Sequence, residues 1–537
     1  MRIRSVFECI VFLALALAVI SPNVVASATN ETRSATPLWG DLAPGPYQVG
    51  FRTLFRFDAS RTWRGTRDYK GIFSPDLDGR PVQINVWYPA VAKEGMRRMR
   101  FADYVDQTSP DAFLKFNAIT KEHNRRSAAE SVPHDQLAAL QTTQMNAYLD
   151  APLTDSRFPT VLYFGGLGAE INSNVILFEY LASQGFIVAS ISLLGPTDEQ
   201  SFQSRTPGDT DAIVRDMEFA WSVLAENPNT DKTKLAVMGH SVGGIEAVLL
   251  GLRNGNVSAV IGLDGTYGFQ GLSSVLTQSY GYSPEKMRAA FLDLRKAQGA
   301  QGDQPLDFAA VESFRHSDRT FVTIQKMHHS DFTSFAMIGE RFHTPITDTY
   351  PLNGWNRETA KSGYQQACRI ILAFLDAKIR NNSHAMDDLA EAVQKAESGV
   401  IKHEEATPPP PSPLESAALV SEQGLAAAKA LFSKRCGQQG VGACMDGNQF
   451  NSYGYNLLGQ HRPKDALAVF ELAAWAHPTS PNAQDSLADG YFAVGDKESA
   501  KKALQRAIDL APADPLIDSG SKASFIADET QRLQPPQ

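Results

Sequence analysis

Several stretches of this chain are apolar from end to end, without alternation, and helix-like segments separate them. Thr160-Val161-Leu162-Tyr163-Phe164, Phe186-Ile187-Val188-Ala189-Ser190-Ile191, Leu235-Ala236-Val237-Met238 and Ala259-Val260-Ile261-Gly262-Leu263 are the clearest. A strand with one wet face alternates polar and apolar side chains, whereas a strand covered on both faces has no reason to. Val82 to Tyr88 supplies an earlier strand, and Phe321 to Gln325 reads as the last core strand. Between them, Phe178 and Leu181 mark one helix, and Ile213, Met217, Ala220 and Leu224 recur at helical spacing along another. The fold class expected is therefore α/β, with a mostly parallel central sheet covered by helices. Residues 102–155 and 270–315 break that rhythm. They are helix-prone and mixed in polarity, and are expected to cap a site at the carboxyl ends of the strands.

Gly239-His240-Ser241-Val242-Gly243-Gly244 lies directly after one strand and directly before a helix-like stretch, Ile245 to Leu252. A serine hydroxyl is a poor nucleophile until a base takes its proton, and it must stand clear of the backbone to be reached. A strand-to-helix turn tight enough to expose it requires small neighbours, hence glycine on both sides. A glycine-rich turn with an inert serine is the alternative, and the strand–turn–helix setting argues against it. In this fold an acid and then a base follow the serine in chain order. Asp264 ends the next apolar strand, 23 residues on, and His328 and His329 both follow the last one. Either histidine fits the base. A two-histidine metal site is disfavoured, because adjacent side chains point apart and no acidic partner has ligand spacing. A tetrahedral intermediate also needs donors for its oxyanion. The N–H of Val242, at the helix start, supplies one; the N–H of Leu167, in the glycine-bounded Gly166-Leu167-Gly168, is expected to supply the second.

These motifs together resemble one family. Phe158-Pro159-Thr160-Val161, Gly165-Gly166-Leu167-Gly168-Ala169, Leu181 to Val188 and Gly239 to Gly244 look like platelet-activating factor acetylhydrolase and its bacterial dienelactone-hydrolase-like relatives. Val49-Gly50-Phe51-Arg52 and Val86-Trp87-Tyr88-Pro89 match the strands that open that family, so the resemblance spans about residues 45–380. It implies an α/β-hydrolase with helical cap insertions that cleaves carboxylic esters through an acyl-enzyme, without metal or organic cofactor. It also implies Asp264 as the acid and, because the family's base is followed by x-x-Phe, His329 (with Phe332 three on) as the base. Gly165 stands where the family usually has histidine, a departure in the surroundings of the acyl group.

The chain ends carry separate expectations. Arg2 and Arg4, the apolar run Val6 to Ile20 and Ala26-Ser27-Ala28 have the layout of a secretory signal over residues 1–28, implying a secreted or periplasmic protein without a stable membrane span after cleavage. In an oxidising compartment Cys436 and Cys444 are spaced to close a short disulfide loop, leaving Cys368 as a buried thiol. The catalytic domain is placed at 29–385, a helical and Pro-rich linker at 386–413, and an α-helical domain at 414–537. Within the last, Ala466, Phe470, Ala473 and Pro478 recur 34 residues later as Ala500, Leu504, Ala507 and Pro512, resembling two tetratricopeptide repeats over about 450–514. Such repeats suit a protein partner, and a second reading makes the hydrolase fold an inert scaffold for them. With 50 basic and 59 acidic residues and no block of like charge, nothing points to nucleic acid. The expected ligand is a small-molecule or lipid ester.

Overall fold

The computed structural model describes residues 38–61, 79–168, 171–195, 206–297, 305–345, 352, 354–382, 384–394, 399–437 and 440–534. The secretory-signal stretch at 1–28 lies outside them. Eleven strands form one sheet: β1 (Gln48–Asp58), β2 (Arg80–Ala90), β3 (Arg98–Arg100), β4 (Gln144–Leu149), β5 (Phe158–Phe164), β6 (Ile187–Ile191), β7 (Thr230–His240), β8 (Val257–Leu263), β9 (Ala290–Lys296), β10 (Arg319–Ile324) and β11 (Gly399–Glu404). Their spatial order is β11-β10-β9-β8-β7-β5-β6-β2-β1-β4-β3. The six strands from β6 to β10 run parallel, while β2 and β11 pair antiparallel at the two ends of that block. This is the α/β-hydrolase architecture, with β5 as the point where successive crossovers change direction.

The unalternating strands are wet on neither face. Val161 and Tyr163 of β5, with Ala236 and Met238 of β7, pack into one core with the helices Val175–Ser183 and Arg357–Ile379. Leu162 and Phe164, with Leu235 and Val237, pack into a second core with the helices Pro207–Ala225 and Gly243–Arg253. Register then aligns the chemistry. Phe164 pairs with Gly239, His240 with Leu263, and Leu263 with Leu294. The turns after β5, β7 and β8 therefore leave the sheet at one level.

The two segments read as caps divide differently. Residues 102–155 do carry the helix Leu114–Glu130, but they also contribute β4, which joins β1 at the sheet edge. One buried carboxylate fastens this segment: Glu179 accepts from Trp39 Nε1, Tyr104 Oη and the backbone N–H groups of Asn146 and Ala147. Residues 270–315 hold β9, a core strand between β8 and β10. It escapes a search for continuous apolar runs because Asp293 and Arg295 interrupt it. Those two charges satisfy each other at 2.7 Å, and Tyr267 Oη donates to Asp293 at 2.7 Å. The sheet also extends one strand past β10, since residues 399–404, within the expected linker, pair with it as β11.

Beyond the Pro-rich segment the chain is helical. Gly447–Gly459, Pro463–Ala476, Pro481–Val494 and Lys497–Leu510 pack in succession, and Ser519–Leu533 packs against the last. Ala466, Phe470 and Ala473 are buried, as are Ala500, Leu504 and Ala507 at the matching positions. Cys436 and Cys444 are joined by a disulfide, and Cys368 is a buried free thiol. No helix among the described residues is long and apolar enough to cross a membrane.

Candidate active site

Ser241 follows β7 in the turn to the helix Gly243–Arg253 and has φ 58°, a left-handed conformation that costs a non-glycine residue roughly 1–3 kcal/mol. The surroundings enforce it. The Ser241 N–H donates to Leu263 O at 3.0 Å, and its own carbonyl accepts from Gly244 N and Thr266 N, each at 3.0 Å. The flanking glycines are needed for space: a Cβ on Gly239 would lie 1.9 Å from Gly243 O, and one on Gly243 2.3 Å from Phe164 O.

Asp264 leaves β8 beside this turn, also with positive φ, and is 1% exposed. Its Oδ1 accepts the Lys296 N–H at 3.0 Å, and its Oδ2 meets His329 Nδ1 at 2.6 Å. Burial by itself would push this carboxyl up. The His329 hydrogen bond and charge, with the Lys296 amide, outweigh it and hold Asp264 below the usual carboxylate range. Bonding Nδ1–H to a carboxylate leaves the lone pair of a neutral imidazole on Nε2, the tautomer a general base needs. The two histidines differ in direction. His329 reaches Asp264, whereas the His328 ring packs edge-on against Trp355 at 5.0 Å. Asp331 holds that turn by accepting from the His328 N–H and from Trp355 Nε1.

Ser241 and His329 line one cavity of about 310 Å³, together with Gly166, Leu167 and Gly168 from the turn after β5. Gly166 lies against the serine: a Cβ there would sit 3.0 Å from Ser241 Cβ and 3.5 Å from its Oγ. Among the described residues no acceptor takes the N–H of Leu167 or Val242. Ser127, Glu130 and Ser131, from the end of the helix Leu114–Glu130, close one side, and Phe335 and Ile338 add apolar wall. The 102–155 segment thus lies over the site. No described residue of 270–315 lines the cavity, although Phe269, just before it, packs on the His329 ring at 5.2 Å. No cluster of three or more metal-ligating side chains occurs among the described residues.

His240 is a further residue of this site. It is buried, its Nε2 bonds the carbonyl oxygen of His329 at 3.0 Å, and its ring lies 4.7 Å from the His329 ring. Its adjacency to Ser241 was the available signal, but a residue between a glycine and a serine reads only as spacing.

Residues 126–291 match the family described as Chlorophyllase, a span that holds Leu167, Ser241, Val242 and Asp264 but ends before His329. The chain is 32% identical over 113 residues to chlorophyllase-1 (chloroplastic) of Citrus unshiu, and equally to that of Citrus sinensis. Each match covers 21% of this chain and 34% of the relative, so the chain spans about a third of the length of the curated relatives it matches. Among solved structures, a ferulic acid esterase from Streptomyces cinnamoneus aligns at 19% identity and a TM-score of 0.43, covering 63% of this chain and 93% of that one.

Proposed function

We propose that this protein is a serine hydrolase of carboxylic esters. In this reading Ser241 attacks the acyl carbon as His329 Nε2 takes its proton, and Asp264 holds the imidazole and stabilises its cation. The backbone N–H groups of Leu167 and Val242 receive the oxyanion. Collapse of the tetrahedral adduct expels the alcohol, protonated by His329, and leaves Ser241 acylated. Water then repeats the sequence to release the acid. The observation that carries this reading is the 2.6 Å contact between Asp264 and His329, 65 residues apart in the chain, beside a serine held at φ 58°. The chlorophyllase match supports the hydrolase reading, and the sequence resemblance to platelet-activating factor acetylhydrolase supports carboxylesterase, acetylhydrolase or lipase-like chemistry within it.

A secreted or periplasmic location belongs to the same reading, supported by the Cys436–Cys444 disulfide and the signal-like first 28 residues. Repeat-like helical hairpins that take a protein partner are proposed beside the catalytic domain, supported by the 34-residue recurrence. The test is hydrolysis of p-nitrophenyl acyl esters from two to sixteen carbons. Wild-type protein is expected to turn over at least the short esters, and Ser241→Ala none of them, with an unchanged melting temperature. Equal rates for the two proteins would refute the assignment.

A further inference from the structure

We propose that His240 is a positioning residue that locks the base-bearing turn to the nucleophile turn, so that the general base is aligned through its own backbone. The inference rests on the ester-hydrolase reading and adds a part to it. His240 immediately precedes Ser241, so its backbone belongs to the nucleophile turn. Its Nε2 lies 3.0 Å from the carbonyl oxygen of His329. A carbonyl only accepts, so Nε2 carries the hydrogen and donates it. The ring is buried and inclined by 31° to the His329 ring, with centroids 4.7 Å apart. Its other nitrogen faces the third turn: a Cβ added to Gly166 would lie 3.3 Å from His240 Nδ1. One side chain therefore touches the turns that carry nucleophile, base and oxyanion donor.

The chemistry explains why this position suits histidine. His329 is held at Nδ1 by Asp264 and flanked by Phe269, but neither contact fixes the backbone that carries the ring, which stays free to shift. Fixing the His329 carbonyl and covering its ring face removes that freedom. The lock must also stay uncharged beside a base that becomes cationic during turnover. Burial, reinforced by the His329 charge, drops the His240 imidazole to about 3, so it is neutral near pH 7. A neutral ring with one N–H thus supplies the donor and the stacking surface without repelling the imidazolium.

Two variants separate donor from ring. His240→Gln keeps a neutral N–H donor at about the Nε2 position and loses the aromatic face, while His240→Phe keeps a ring and loses the donor. With a short p-nitrophenyl ester, His240→Phe is expected to lower kcat on the order of 10- to 100-fold, the scale for slight misplacement of a reacting group, with KM within about twofold. His240→Gln should recover most of that loss, and the melting temperatures should agree within a few degrees. Wild-type kcat in His240→Phe, or equal losses in the two variants, would overturn the proposal. Ser241→Ala runs alongside: if wild-type protein shows no turnover above Ser241→Ala, the ester-hydrolase reading itself fails, whereas turnover unaffected by His240→Phe refutes only the lock.

Discussion

Gly166→Ala probes the site with a single methyl group. Gly166 does not have the positive φ that makes neighbouring Gly168 costly to replace, so alanine meets no backbone penalty there and the effect is purely one of space. The added carbon would lie 3.0 Å from Ser241 Cβ, 3.3 Å from His240 Nδ1 and 3.5 Å from Ser241 Oγ. Carbon atoms rest at roughly 3.5–4.0 Å, so the nucleophile turn must yield by about half an ångström, and the strained Ser241 backbone has little slack. Overpacking of this kind costs about 1–3 kcal/mol of stability. The rate suffers as well, because an acyl carbon must come within about 3–3.5 Å of Oγ beside the new methyl. We expect kcat/KM for a short acyl ester to fall on the order of 10- to 100-fold, about 1.4–2.7 kcal/mol in transition-state stabilisation. Steady-state kinetics paired with a thermal melt read both quantities. Unchanged kcat/KM in a protein of wild-type stability would show that the turn after β5 does not lie against the nucleophile as described.

Other residues give independent checks. Asp264→Asn keeps the shape but presents an amide to His329 Nδ1, favouring the wrong tautomer; kcat should drop about 10³- to 10⁴-fold with KM little changed, and a loss below tenfold would remove Asp264 from its role. Glu179→Leu strands four buried donors from three separate segments, so chemical denaturation should register a loss of about 2–5 kcal/mol, with Glu179→Gln costing less because one acceptor oxygen remains. In the C-terminal helices, Arg532 bridges Asp485, Asp489 and Glu529. Burial and the Asp485 charge push Glu529 up to about 7, above its value of about 4.3 in an unfolded chain. The folded state therefore holds a proton that the unfolded chain releases, and this contribution to stability is lost as pH rises from about 4.3 through 7. Calorimetric melting of the full chain should show a fall in stability across that window that shrinks in Glu529→Gln; identical slopes would contradict a raised Glu529 in the folded state.

The features legible in the sequence were those with one physical solution. Strands such as Thr160–Phe164 are apolar throughout because helices cover both faces, and a serine between glycines after such a strand has to be a tight, exposed turn. Asp264 was visible because it ends an apolar run, and the pairing of His240 with Leu263 then sets it beside Ser241. From the residues alone the candidate base was a pair of histidines, and only the family resemblance, through Phe332, favoured His329. What separates them is side-chain direction, His329 toward Asp264 and His328 toward Trp355, which depends on contacts remote in sequence. β9 was hidden because its charges are paired with each other and with Tyr267 rather than with water. β11 was hidden because an edge strand needs little apolar character: Val400 is 62% exposed. The His240 contact to the His329 carbonyl is a side-chain bond to a backbone 89 residues away, for which no local pattern exists.

Treatment of the folded protein with a fluorophosphonate, followed by mass spectrometry of its peptides, interrogates the activated hydroxyl without any assumption about the natural ester. The expected adduct is a single phosphonyl group on Ser241, absent from Ser241→Ala and formed much more slowly in His329→Ala. Wild-type protein that keeps its melting transition yet takes up no label, or takes it up at another serine, would contradict the catalytic assignment.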